Sequence, residues 1–147
     1  MPKFQLKEQI LAPPEKVFDF LLSVENAEKI NAQMRKTMCL EDGEPKIGSR
    51  YHQTRNFQGR EFVSEYVLQD FTRPNHLHFS TEKQGIRADY RYEIKNLGSG
   101  TELSLDAEIQ AEGSRSLLAL LIAEIMKRRD RDLLERVEIA IIKAQAS

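Results

Sequence analysis

Between Ser49 and Ile109 the chain offers five extended segments in succession, with nothing between them long enough to form a helix. They run roughly Ser49–Phe57, Arg60–Asp70, His76–Glu82, Arg87–Lys95 and Thr101–Ile109. The separators, Gln58-Gly59, Thr72-Arg73-Pro74, Gln84-Gly85 and Gly98-Ser99-Gly100, carry the residue types of tight turns. Parallel strands need long crossovers, usually helical, so a doubly wound parallel sheet is excluded and an antiparallel meander is expected. From Ser114, a suitable N-cap, to about Ala144 the pattern turns helical. Leu118, Ile122, Met126, Leu133, Val137, Ala140 and Ile141 make one long apolar stripe there.

Upstream, Phe4, Leu6 and Ile10 alternate as on a half-buried strand. Ala12-Pro13-Pro14-Glu15 breaks that strand and opens a helix with Val17, Phe18, Leu21 and Leu22 on one side, ending near Ser23. A second short helix is expected over Asn26–Asn31, an extended segment over Met34–Glu41 and a turn at Asp42-Gly43-Glu44-Pro45. The expected fold class is therefore α+β: a curved seven-stranded antiparallel sheet wrapped around a long C-terminal helix, with two short helices after the first strand. A helix is only ~10–12 Å wide and does not fill the concave side of such a sheet, so a lined hollow is expected. With 147 residues, one domain over 1–147 is expected.

Charge and cysteine usage narrow the function classes. Twenty-two Lys and Arg against 23 Asp and Glu leave nothing global to attract phosphate backbones or anionic lipid, so no nucleic-acid partner is expected. The single cysteine, Cys39, has no partner for an internal disulfide, and Met38 and Leu40 beside it suggest a half-buried strand and a packing role. Met1 to Lys16 lacks an apolar signal core, and the longest apolar run, Leu117 to Ala123, is far short of a span, so a cytoplasmic protein without integral membrane association is expected.

Loop length predicts which side chains converge, because directly opposed residues of an antiparallel pair share a face. A turn at Gln84-Gly85 sets Phe79 opposite Tyr90 and Leu77 opposite Tyr92; a four-residue loop at Leu97–Gly100 sets Tyr92 opposite Leu105 and Ile94 opposite Leu103. One aromatic and aliphatic wall results. Around Gln58-Gly59 the same rule places Arg55 opposite Phe62 and Tyr51 opposite Tyr66, a more polar wall. A β-bulge in the Arg60–Asp70 strand would turn Tyr66 and Leu68 outward and bring Glu65 and Val67 in. Glu65 would then be a buried carboxylate beside Tyr51 and Arg55, a candidate acid or base; otherwise it is a solvated outer residue.

Taken in order, Glu8-Gln9-Ile10-Leu11-Ala12-Pro13-Pro14-Glu15-Lys16-Val17-Phe18-Asp19-Phe20-Leu21, Ile47-Gly48-Ser49-Arg50, Arg73-Pro74-Asn75-His76-Leu77 and Gly100-Thr101-Glu102-Leu103, followed by the final helix, resemble the START-like (SRPBCC) superfamily. In particular they look like its polyketide cyclase/dehydrase and lipid-transport branch. The resemblance implies a helix-grip fold, with two short helices closing one end of a ligand cavity. It also implies binding of lipids, sterols, polyketides, hormones or quinones, with cyclisation or dehydration in a minority of members. Phe18 and Leu105 stand where relatives often carry Trp, which alters the cavity expected here.

The remaining chemical candidates are weaker. His76 and His78 point the same way, but Leu77 and Phe79 claim the inner face, so both histidines should face solvent, and His52 is isolated; no metal and no cofactor are expected. The charge run Lys127–Asp132 should be solvated or paired along the helix, except Arg129, which falls on the apolar stripe. Leu117–Ile125 is apolar on more than one face, fitting a homodimer contact, a membrane-touching mouth or a deep fit, the last being expected. The expected function is a carrier or sensor of a hydrophobic small molecule held by Phe62, Leu77, Phe79, Tyr90, Tyr92, Leu103, Leu105, Ile122 and Met126, with polar specificity from Tyr51, Arg55 and Tyr66. The alternatives are a cyclase or dehydratase using Glu65, and an interaction protein with a cavity too small to use.

Overall fold

Seven strands form one antiparallel sheet: β1 (Lys3–Ile10), β2 (Met34–Cys39), β3 (Arg50–Phe57), β4 (Arg60–Thr72), β5 (His76–Lys83), β6 (Ile86–Asn96) and β7 (Thr101–Ala111). The structure, a computed structural model, describes residues 3–23, 26, 29, 34–40, 43–83, 85–111, 113 and 116–146. Strand order is β1-β7-β6-β5-β4-β3-β2. The meander expected from the short loops is present from β2 to β7, and β1 joins it at the far edge, pairing with β7 from Lys3↔Glu108 to Ile10↔Thr101. At the β3–β4 hairpin, Gln58 (φ 51°) and Gly59 (φ +79°) supply the two left-handed residues that a two-residue turn needs.

Helix α1 (Pro14–Leu22) starts at Pro14, whose fixed φ and missing N–H suit the first helical position. It buries Val17, Phe18, Phe20 and Leu22 against the ends of β5 and β6. Phe18 meets Phe71 at 6.3 Å, and the Arg73 guanidinium lies 4.7 Å over the Phe18 ring while pairing with Asp19. One loop thus pins the helix by its apolar and its charged face. The expected second short helix, Asn26–Asn31, lies largely outside the described residues.

The C-terminal helix is two helices, α2 (Ser116–Asp130) and α3 (Leu133–Ala146), rather than one continuous element. The apolar stripe runs through the break without a change of phase, which is why the sequence reads as unbroken. Asp132, a preferred N-cap residue type, stands just ahead of Leu133, and its carbonyl accepts from the Arg136 N–H at 3.0 Å. Helix α2 packs on β7 and β1, whereas α3 packs on β1 and α1. Among the described residues no helix is long and apolar enough to cross a membrane.

Two contacts tie the β6–β7 turn to the end of β1. Thr101 Oγ1 donates to the Ala12 carbonyl at 2.6 Å, and a Cβ at Gly100 would stand 2.7 Å from the Ile10 carbonyl oxygen. Only glycine allows that approach. Gly100→Ala should therefore cost about 1–3 kcal/mol in urea unfolding, with Ser99→Ala in the same turn as a near-neutral control.

Candidate ligand-binding site

Every cross-strand pairing expected from loop length is present. Phe79 faces Tyr90, Leu77 faces Tyr92, Tyr92 faces Leu105 and Ile94 faces Leu103; Arg55 faces Phe62 and Tyr51 faces Tyr66. A bulge does occur in β4, but at Gln69, between the pairs Leu68↔Phe79 and Asp70↔His78. Tyr66 and Leu68 therefore keep the inner face, and only the strand beyond them changes phase, bringing Phe71 inward under α1. Glu65 faces outward, exposed, with its Oε1 3.3 Å from His52 Nε2. It is not a carboxylate of the hollow.

The aromatic wall is tightly interlocked where it meets the strands. Tyr51 and Phe79 meet edge to face at 6.1 Å, and Tyr66 and Tyr90 lie 6.3 Å apart. Leu77, Leu103 and Leu105 are fully buried and form the floor. Above that floor Tyr66, Phe79, Tyr92, Ile122 and Met126 pack against the core yet retain accessible surface. The Tyr90 hydroxyl reaches Met126 Sδ at 3.9 Å, joining β6 to α2. Burial, first, then the Asp130 carboxylate and Tyr66, push the Tyr92 phenol well above the ordinary tyrosine range. Phe62 departs from expectation: it shares the Arg55 face but is 43% exposed, a rim residue.

Polar side chains gather toward the β3–β4 hairpin. Register places Gln53 and Ser64 opposite one another on the Tyr51 face, with Arg55 one step further along β3. Arg55 Nη1 is buried without a hydrogen-bond partner. The opposite end carries Asp130, a member of the charge run expected to be solvated or paired, which is 4% exposed at the end of α2. The Arg129 side chain lies outside the described residues. Glu8, overlooked in the sequence, shares the inner face with Leu103, and burial together with Glu138 and Glu135 on α3 holds its carboxyl above the usual range.

The outer face holds the histidines, as expected, but with carboxylate partners that spacing did not reveal. His76 Nδ1 lies 2.7 Å from Glu93, and His78 Nε2 lies 2.7 Å from Asp89. Arg87 adds two bonds at 3.0 Å to the same Asp89, whose side chain is only 2% exposed. His76 and Glu93 are directly opposed on β5 and β6, His78 reaches Asp89 diagonally across the same pair, and Arg87 stands two residues from Asp89 on β6. Among the described residues no group of three His, Cys, Asp or Glu could hold a metal ion. Cys39 is half-buried and packs against the core, in keeping with a packing role. Leu120, Leu121 and Ile125 are 57%, 57% and 56% exposed, so the apolar surplus of α2 is turned outward and is not a deep fit. A separate surface cleft of ≈ 430 Å³ lies between Leu11–Glu15 and the β6–β7 turn; none of the ligand-binding residues expected from the sequence lines it.

The family model for polyketide cyclase/dehydrase and lipid transport matches residues 1–140. Among solved structures, a START superfamily protein from Mycobacterium smegmatis is similar at TM-score 0.74 and 15% identity, covering 97% of this chain and 98% of that one. The crystal structure of Ara h 8.0201 is similar at TM-score 0.78 and 10% identity, covering 96% of this chain and 97% of that one. BexL, a di-domain ARO/CYC from the BE-7585A biosynthetic pathway, is similar at 0.77 and 13% identity over 94% of this chain and 45% of its own. At these identities the structural likeness concerns the fold. No curated protein matches by sequence.

Two carboxyls of opposite shift make the pH response testable. Burial alone would raise the Asp89 carboxyl, but Arg87 and His78 outweigh it and hold it below its usual range. Its stabilisation is present above the ordinary aspartate range and is lost as pH falls through the depressed value. Asp89→Asn should therefore lose about 1–3 kcal/mol at pH 7 in chemical unfolding, with the gap to wild type closing in acid. For Glu8 the sign reverses. Glu8→Gln should raise the melting temperature at pH 7, and that gain should fade below the ordinary glutamate range, where both carboxyl states are protonated.

Proposed function

Because the chain belongs to the polyketide cyclase/dehydrase and lipid-transport family, we propose that it binds a hydrophobic small molecule between α2 and the inner face of β3–β6, as a carrier or sensor. The observation that carries this reading is the wall of Tyr66, Phe79, Tyr92, Ile122 and Met126, packed on the core yet left with open surface. A finished core would close such side chains against one another. Here the missing neighbour is a ligand, lying on Leu77, Leu103 and Leu105. Tyr51, Tyr66 and Arg55 supply the polar contacts that fix its orientation, a few convergent polar groups in an otherwise apolar site.

A cyclase or dehydratase is the second reading, and it needs an acid or base beside the bound molecule. Glu65 does not serve, since it pairs with His52 on the outer face. The reading rests instead on Asp130, buried at the end of α2 and close enough to act on the Tyr92 phenol.

Native mass spectrometry of the protein from its own host is the direct test. A retained hydrophobic molecule is expected, lost in Phe79→Trp and Ile122→Trp, which fill the space, and kept in Glu65→Gln. Adding back the released molecule at about a hundred times its Kd should stabilise wild type by ~2.7 kcal/mol. A ligand-free protein that no hydrophobic extract stabilises would refute the reading, and a change in the mass of the added molecule would favour the enzyme.

A further inference from the structure

Arg55 is a half-buried cation on the inner face, and among the described residues no carboxylate pairs with it. Register places it beside Gln53 and opposite Phe62. Its Nη1 is buried without a hydrogen-bond partner. No ion pair reaches it among the described residues, and the inward-facing acid Glu8 stands on β1, with four strands between it and β3 in the sheet order. Removing a guanidinium nitrogen from water without a partner is costly, and an oxyanion seated against it recovers that cost with charge-assisted bonds.

We propose that the ligand is an acidic amphiphile whose oxyanion head pairs with Arg55 while its apolar body lies along Tyr66, Phe79 and Tyr90; this rests on the ligand-binding reading above. The charges along the hollow select this direction. Gln53 and Ser64 add polar groups beside Arg55, so the head enters a polar neighbourhood. At the other end the group near Tyr92 is a carboxylate, Asp130, of the same sign as the head. Tyr51 lies four residues before Arg55 along β3, roughly 13 Å of strand, a distance that a medium-length alkyl chain spans. Phe62, exposed opposite Arg55, marks the rim through which the molecule passes.

The experiment compares dodecanoate, dodecyl phosphate and dodecanol on wild type, Arg55→Gln and Arg55→Leu, by calorimetry and thermal shift. Wild type should bind at least one of the two anions about tenfold or more tighter than the alcohol, and the tighter anion tells whether the head is a carboxylate or a phosphate. Both variants should bring the preference to within about twofold while leaving dodecanol binding nearly unchanged. Without ligand, Arg55→Leu should melt at or above wild type, because it removes a buried unpaired charge; a guanidinium that merely braced the fold would give a lower value. Equal binding of all three by wild type, or a preference that survives both variants, overturns the proposal and leaves the ligand-binding reading standing. Binding of none of the three overturns both.

Discussion

The pairing of β1 with β7 governs the rest of the architecture. It sets the first strand against the last, so the helices that follow β7 settle over that end of the sheet: α2 on β7 and β1, α3 on β1 and α1. The strands at the other end, β3 to β5, keep their inner face but receive no comparable helix. Their aromatic side chains therefore meet space as well as neighbours. The junction depends on a small number of atoms: the Thr101 hydroxyl on the Ala12 carbonyl, and a glycine at position 100 that lets the turn touch the backbone of Ile10. An asymmetric grip of this kind gives a pocket without sacrificing a core, because floor and opening belong to different strands.

Polarity is partitioned along the same axis. Leu77, Leu103 and Leu105 are dry and closed, Gln53, Arg55 and Ser64 gather toward one hairpin, and Asp130 stands by Tyr92 at the other end. The outer face solves a different problem. There the charged groups are mutually satisfied, with Asp89 held by Arg87 and His78, Glu65 by His52 and Glu93 by His76. Among the described residues the two faces thus differ: ion pairs on the outside, and on the inside an Arg55 Nη1 buried without a hydrogen-bond partner.

The inner wall was legible in the sequence because antiparallel opposition depends only on loop length. Two-residue turns at Gln58-Gly59 and Gln84-Gly85, and a four-residue loop before Thr101, suffice to put Tyr51 with Tyr66, Phe79 with Tyr90 and Tyr92 with Leu105. Gln53 and Ser64 were within reach of the same rule and were overlooked. The position of the β4 bulge was not legible, since a bulge is decided by how two long strands accommodate their twist. A bulge before Glu65, rather than at Gln69, would have given an inward Glu65 in place of an inward Tyr66. Asp130 and the Asp89 cluster escaped for a related reason: local spacing shows neighbours on one element, whereas Asp130 is buried by tertiary packing and Asp89 is reached across strands.

By itself the sequence determined the antiparallel meander, the register of the inner wall and the helical character of the C-terminal segment, because each follows from short-range periodicity and turn chemistry. Tertiary structure alone decided where the long helix breaks, that Leu120, Leu121 and Ile125 face outward and which carboxylates are buried. Those outcomes turn on which surfaces meet across the sheet, and no local pattern encodes a meeting between residues a hundred positions apart, as when Lys3 to Ile10 find Thr101 to Glu108.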